Sequence, residues 1–402
     1  MDQGARSRQT GATGARPKLT TSVKHYDKHP SPIFIEPREI GTFSIDSEGK
    51  FHHDARQLRN YVPPRNLTEC RFDLTSGIED SMMERDETNS REEFKTFLHW
   101  IMENKNSFLM EKPAKTDGAR LGGGDSRFHR SAPDFVCTRG LVSRLLRVPY
   151  QYANEVELSV IKFRGTYFLC EIDQVSAPIY PEKENMYKWG CRFKQYVTAD
   201  KGKGIPDLSR PIKANERFYS VVRFQLGQHS LVCRGQVDCE DPSREEGNRY
   251  AQLRIIKLRE DKKGKVNFLR YKLLRAWAQG VLEGVPVFVY GFYSEENNVK
   301  AMVKSVRSYE VKDMPQMAHH PDVAGPWKPH VCWNFLEAFL DFVKANITED
   351  SENWVYECRR KPREDIAFER KRNSEELNYL PDWFTNWGAW EDTVRAQSPD
   401  AH

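Results

Sequence analysis

The side chains closest to a catalytic arrangement lie in residues 231–257, LVCRGQVDCEDPSREEGNRYAQLRIIK. Leu231, Val232, Gln236, Val237 and Asp238 fall on one predicted strand and Tyr250–Ile256 on a second. A polar loop containing Pro and Gly joins them over residues 240–248, so the stretch predicts a hairpin. An acid on one strand, followed on the next by Glu-x-Lys, holds hard divalent ions in metal-dependent nucleases, because such ions take oxygen ligands. Here the second element is Gln252-Leu253-Arg254. Positions i and i+2 of a strand share a face, so Gln252 and Arg254 point together where Glu and Lys would point. Asp238 is the acid that remains.

Other candidate chemistry is weaker. His52 and His53 are adjacent on a predicted strand and face opposite ways, which makes them packing or surface residues rather than joint metal ligands. The run Leu121-Gly122-Gly123-Gly124 lacks the Lys-Ser/Thr ending of a phosphate loop and reads as a connection. Tyr187, Trp189, Phe193 and Tyr196 could stack on bases, but burial is the simpler expectation.

The elements that must position Asp238 follow from periodicity. Ser90-Arg91-Glu92-Glu93 has the form of a capping box, and Phe94, Leu98, Ile101 and Met102 follow at helical spacing. Asp134–Tyr150 is expected to be helical after Thr138. Strands are expected over Glu155–Phe163 and Thr166–Ile172, turning at Arg164-Gly165, and over Arg217–Leu226. Met186–Asp200 reads as a helix running into a strand, and Phe268–Leu282 as a helix preceding the apolar strand Val285–Phe292. Val299–Val311 adds a strand and Trp327–Ala345 an amphipathic helix. Phe43, Ile45 and Phe51 flank a turn at Ser47-Glu48-Gly49.

The chain has 402 residues, a net charge of +4 and eight scattered Cys with no CxxC pair. That length allows one sizeable core, and the Cys pattern fits a reduced, intracellular protein. No apolar run is long enough to span a membrane. Residues 1–30 are expected to be a disordered basic arm and 393–402 a disordered tail. Arg359-Arg360-Lys361 and Arg370-Lys371-Arg372 have the composition of a nuclear import signal, and the aromatics of 380–390 are expected to pack back on the body.

In order along the chain stand EIGTFSID, HDARQLRNYVPP, Thr138-Arg139-Gly140, WGCRFKQY, RGQVDC, YAQLR, YKLLRAWAQG with GVPVFVYGF, and Trp327 with Asn334-Phe335. This series resembles the DXO family of decapping exoribonucleases over residues 33–390. The resemblance implies a mixed α/β single domain over 31–392, with a central mixed β-sheet, flanking helices and a nuclease-type core. It also implies decapping and 5′→3′ degradation of RNA with divalent metal, in the nucleus.

Against the family pattern, an acid is replaced by Lys194, the Glu of the RGQVDC motif by Gln236, and Glu-x-Lys by Gln252 and Arg254; Asp238, Arg139 and Gln279 match. The resemblance is therefore nearest to degenerate members such as that of the insect piRNA pathway. It implies a pseudoenzyme with no catalytic residues, no metal and no cofactor, and with Arg139, Lys194, Arg254 and Gln279 binding an RNA 5′ phosphate. Its expected action is to shield nascent transcripts, with protein partners such as a Rhino–Deadlock-type chromatin complex and no membrane. On that reading Asp238→Asn costs little stability, unless Asp238 pairs with Lys194 or Arg254. Two other readings stand beside it. One is an active enzyme using Mg²⁺ or Mn²⁺, with Glu240 or Asp241 restoring a shifted site. The other is a scaffold that binds no RNA.

Overall fold

Strands with apolar side chains on both faces must be covered on both faces, and the runs at 166–171 and 229–237 read that way. The computed structural model describes residues 17–77, 90–113, 128–172, 181–213, 215–245, 247–296 and 300–387. In chain order the main elements begin with β1 (Phe34–Ile45), α1 (Ser90–Glu103), β2 (Phe135–Thr138), α2 (Arg139–Leu146), β3 (Val156–Phe163) and β4 (Thr166–Glu171). Then come α3 (Pro181–Tyr196), β5 (Arg217–Leu226), β6 (His229–Val237), β7 (Cys239–Glu240), β8 (Tyr250–Lys257) and α4 (Leu273–Glu283). The last are β9 (Val287–Glu296), β10 (Lys300–Glu310), α5 (Pro329–Asn346), β11 (Trp354–Arg360) and β12 (Ile366–Arg372).

The mixed α/β class stands, with the strands shared between two large sheets. One is ordered β12-β11-β3-β4-β2-β6-β5-β1, with short strands at both edges. The other is built on β7-β8-β9-β10. Strand β2 runs parallel to both of its neighbours, and β8 runs parallel to β9. Alternation sorts the side chains of the first sheet. Phe135, Cys137, Leu231 and Cys233 enter a core shared with α2, α4 and α5, whereas Val136 and Val232 enter a second core against α1. Helix α4 lies between the sheets and packs on strands of both. A third core joins α3 to the second sheet through Trp189, Phe193, Leu253 and Val289.

The expected hairpin is realised differently. Strand β6 pairs with β5 and β2 in the first sheet, and only Cys239 and Glu240 pair with β8. The chain changes sheets at Asp238. The turn at Arg164-Gly165 is as expected, with both residues left-handed (φ 49° and 80°). The arm expected over 1–30 needs correction from residue 17 on, while residues 1–16 lie outside the described residues. Lys18 and Leu19 pair with Ala367 and Ile366, and Tyr26 is buried edge-on against Phe335, 5.4 Å between ring centres. Asn334 Nδ2 donates to the carbonyls of Tyr26 and His29, 3.0 Å each, so backbone satisfaction holds this segment down. Arg359 and Arg360 end β11, with Lys361 just beyond it, and Arg370-Lys371-Arg372 lies on β12; Arg360 is buried and Arg370 stacks 3.7 Å over Trp354. Phe384 and Leu380 pack back as expected. Residues 121–124, 388–390 and 393–402 lie outside the described residues.

All eight Cys are free thiols. No helix among the described residues is long and apolar enough to cross a membrane.

Helix α3 sits close on the second sheet because residue 291 of β9 has no side chain. A Cβ there would come within 2.6 Å of the Phe193 ring. Gly291→Ala is expected to cost about 1–3 kcal/mol by overpacking. Urea unfolding measures the loss, and an unchanged midpoint would show that α3 yields freely.

Candidate functional site

Asp238 gets its surroundings from the change of sheet. With its side chain 3% exposed at the end of β6, it meets three donors from two other elements. Lys194 Nζ, from the last turn of α3, donates to Oδ1 at 2.5 Å. Arg254 Nη1 and the Leu253 amide, both from β8, donate to Oδ2 at 2.7 and 2.8 Å. Burial alone would raise this carboxyl. Lys194 and Arg254, together with the hydrogen bonds, outweigh it and hold the pKa at about 2.

Arg254 is fixed further. Its guanidinium donates to the Leu253 carbonyl at 2.8 Å, to Gln252 Oε1 at 2.9 Å and to Gln279 Oε1 at 3.4 Å. Gln252, itself buried, donates to the Gln236 carbonyl at 2.7 Å. Thus the positions singled out in the sequence, Lys194, Gln236, Asp238, Gln252, Arg254 and Gln279, do meet in one network. Lys194 and Asp238 line a cavity of about 310 Å³ with Gln236 and Arg217. Arg139 stands apart, lining a neighbouring cavity of about 220 Å³ on the far side of Gln236.

Two carboxylates went unnoticed in the sequence. Glu93 leaves its expected capping role to face the cleft between Arg217 and Arg234, at 2.6 and 2.9 Å. Burial would raise it, but Arg234 and then Arg217 bring it below its usual value. Glu283, fully buried on the last turn of α4, pairs with Arg139. Its carboxylate occupies the space where a side chain at Gly235 would stand. Burial raises Glu283 to about 7 against the pull of Arg139. A signal for Glu283 existed: an acid closing a helix just before Gly284, which takes the left-handed cap (φ 67°).

The histidines behave as expected. His52 bonds Asp46 at 2.6 Å and His53 pairs with Glu103, two separate partners. Trp189 and Phe193 are buried rather than presented to bases, and Tyr196 stacks on Phe72. Glu240 pairs with Lys201 and Arg249, and Asp241 bonds the Ser243 amide and hydroxyl. Both are engaged away from Asp238.

The family model described as RAI1-like PD-(D/E)XK nuclease matches residues 35–385. The decapping and exoribonuclease protein of Bos taurus is 32% identical over 377 residues, covering 92% of this chain and 89% of that one. The decapping nuclease RAI1 of Yarrowia lipolytica is 27% identical over 334 residues, covering 79% and 86%. Among solved structures, Scheffersomyces stipitis Rai1 in complex with (3′-NADP)+ and calcium ion has a TM-score of 0.73 at 19% identity, covering 92% and 99%. Candida albicans Rai1 in complex with pU5-Mn²⁺ has a TM-score of 0.72 at 20% identity, with the same coverage.

These relatives overturn the expectation of a pseudoenzyme. Kinship at this identity over nearly the whole length, with proteins named as decapping exoribonucleases, points to an enzyme. The divalent ion carried by those two solved structures is a separate matter. A hard cation needs several oxygen ligands at once. Here the one acid of the motif is saturated by Lys194, Arg254 and an amide, with Gln236 and Gln252 beside it. No cluster of three His, Cys, Asp or Glu suited to a metal occurs among the described residues. As arranged, the donor set does not fit the ion.

The expected tolerance of Asp238→Asn also changes, because both pairings exist. The carboxyl's folded value of about 2 lies below the usual 3.8, so its contribution is full above pH 4 and fades as pH falls towards 2. Asp238→Asn is expected to cost about 2 kcal/mol at pH 7, read from urea midpoints. A cost near zero would show Lys194 and Arg254 to be as stable without it.

Glu283 has the opposite sign. A carboxyl held near 7 when folded and 4.5 when unfolded loses stability as pH rises between those values. Glu283→Gln should flatten the midpoint's decline between pH 4.5 and 7. An unaltered slope would show that Arg139 keeps Glu283 ionised throughout.

Proposed function

Because the chain belongs to the RAI1-like PD-(D/E)XK nuclease family, we propose that it acts on RNA 5′ ends, in the reaction class its relatives' names carry. The step its own residues serve most directly is the seating of the terminal phosphate. One observation supports this. Lys194 and Arg254, each about a third exposed, converge on one buried carboxylate, and Lys194 and Asp238 line the cleft. Arg217 lines the same cleft and Arg234 the cavity beside it, both paired with a single acid, Glu93.

A 5′ phosphate brings up to two negative charges and several acceptors, and ammonium and guanidinium groups bind it without an intervening metal. Lys194 approaches as a point charge. Arg254 offers a planar fork held in place by Gln252 and Gln279. Arg139 extends the positive wall once its hold on Glu283 loosens. Asp238 competes with the incoming phosphate for both cations, so it sets how tightly the end is held.

RNA with a 5′ monophosphate is therefore expected to bind in EDTA, and more tightly than the same RNA with a 5′ hydroxyl. Lys194→Ala with Arg254→Ala should remove that preference, and Asp238→Asn, which frees both cations, should enhance it. Filter binding measures each. Equal affinity for both ends in the wild-type protein would sink the proposal. Addition of Mn²⁺ or Mg²⁺ to the same RNA, followed by scoring of released 5′ nucleotides or caps, tests the relatives' reaction in this chain. Sequencing of copurifying 5′ ends reads which transcripts it takes, nascent piRNA precursors included.

A further inference from the structure

A second cluster of cations lies beyond Arg139. A cavity of about 540 Å³ is walled by Arg144 and Arg147 of the α2 end, and by Lys272 and Arg275 at the start of α4. Arg147 is buried, and its guanidinium donates only to neutral acceptors, the Ser143 carbonyl at 2.8 Å and Gln151 Oε1 at 3.1 Å. Among the described residues Lys272 and Arg275 make no ion pair. Arg144 is the exception, bonded to Glu171 at 2.6 Å. Burial, then the neighbouring cations Arg275 and Arg144, lowers Arg147 to about 9.

Like charges do not gather at a concave surface without a reason, because each raises the cost of holding the next. Structural clusters carry their carboxylates with them, as Glu93 does for Arg217 and Arg234. Here two carboxylates, Glu155 on the cavity wall and Glu171 paired with Arg144, stand against the four cations Arg144, Arg147, Lys272 and Arg275, which leaves a positive excess for an anion. Its backbone is unusual at the same place: Phe268–Lys272 forms a wide π-type turn that presents Tyr271 and Lys272. Such turns recur at functional sites.

An ion pair links this cavity to the one that Arg139 lines. Glu171, the partner of Arg144, lines the same cavity as Arg139. Arg275 lies within electrostatic reach of both Arg139 and Arg254.

We propose that Arg144, Arg147, Lys272 and Arg275 form a second phosphate site, which holds a phosphodiester of the same RNA strand away from its 5′ end. This rests on the reading that the Asp238 cleft takes that end. One strand then spans both sites, with Arg139 between them. A short 5′-phosphorylated ligand fills the first site alone, and a longer strand fills both.

The test uses the full-length protein in EDTA, with a 5′-phosphorylated dinucleotide and a 5′-hydroxyl octanucleotide as probes. Lys272 and Arg275 are exposed, so the double variant Lys272→Ala/Arg275→Ala is expected to fold, and a thermal melt verifies this. It should bind the octanucleotide roughly tenfold more weakly. The dependence of log affinity on log salt should fall by about 0.7 for each phosphate that is no longer neutralised. Dinucleotide binding should stay unchanged. The reciprocal exchange Lys272→Arg/Arg275→Lys should restore the octanucleotide. An octanucleotide affinity and salt slope equal to wild type overturns the site, and so does an equal weakening for the dinucleotide. Since the octanucleotide has no 5′ phosphate, its result stands whether or not the Asp238 cleft prefers phosphorylated ends.

Discussion

One buried carboxylate ties three parts of the fold together. Asp238 stands where the chain leaves the first sheet for the second, and its two oxygens take an ammonium from α3 and a guanidinium and an amide from β8. Without those donors a charge this buried costs several kcal/mol. With them it fastens α3 to the junction of the sheets, beside the close approach of Phe193 to Gly291. The same bonds settle what the cleft offers a ligand. The acid is spent internally, Lys194 lines the cavity beside it, and Arg254 stays about a third exposed.

Much of this was legible along the chain. Short strand-forming runs, two of them flanking the Arg164-Gly165 turn, announced β3, β4 and β5, and helical spacing of apolar residues announced α1 and α5. The meeting of Lys194, Asp238, Gln252 and Arg254 was also foreseen, since i and i+2 positions share a strand face and the ordered motifs implied the rest. What failed was pairing over distance. A hairpin between β6 and β8 looked natural from the loop between them, yet β6 finds better cover between β5 and β2. Local pattern cannot choose among partners that only tertiary packing brings near. The Lys18–Leu19 strand was missed for the same reason, as its partner lies near the other end of the chain.

Function was legible to a different depth. Three missing acids suggested a protein without catalysis, yet residue identity at a few positions is a narrower measure than kinship over 377 aligned residues. Counting acids in the motifs also overlooked those outside them. Glu93 looked like a helix cap, yet it lines the cleft, and Glu283, which drew no notice, is the buried partner of Arg139 on the neighbouring cavity. A carboxylate's role depends on which cations the fold brings to it, and that is not written in its neighbours along the sequence.

The three carboxylates share one arrangement. Asp238 is held by Lys194 and Arg254, Glu93 by Arg217 and Arg234, and Glu283 by Arg139. Five cations therefore answer three acids, and the acids are the more deeply committed partners at Asp238 and Glu283. A divalent ion needs the opposite balance, with carboxylate oxygens turned towards an open centre. An anionic strand needs this one: cations held in fixed positions by buried counter-charges, with their remaining donors facing the groove. Because the counter-charges are built in, the cations are already oriented before the strand arrives, and little side-chain entropy is left to lose on binding.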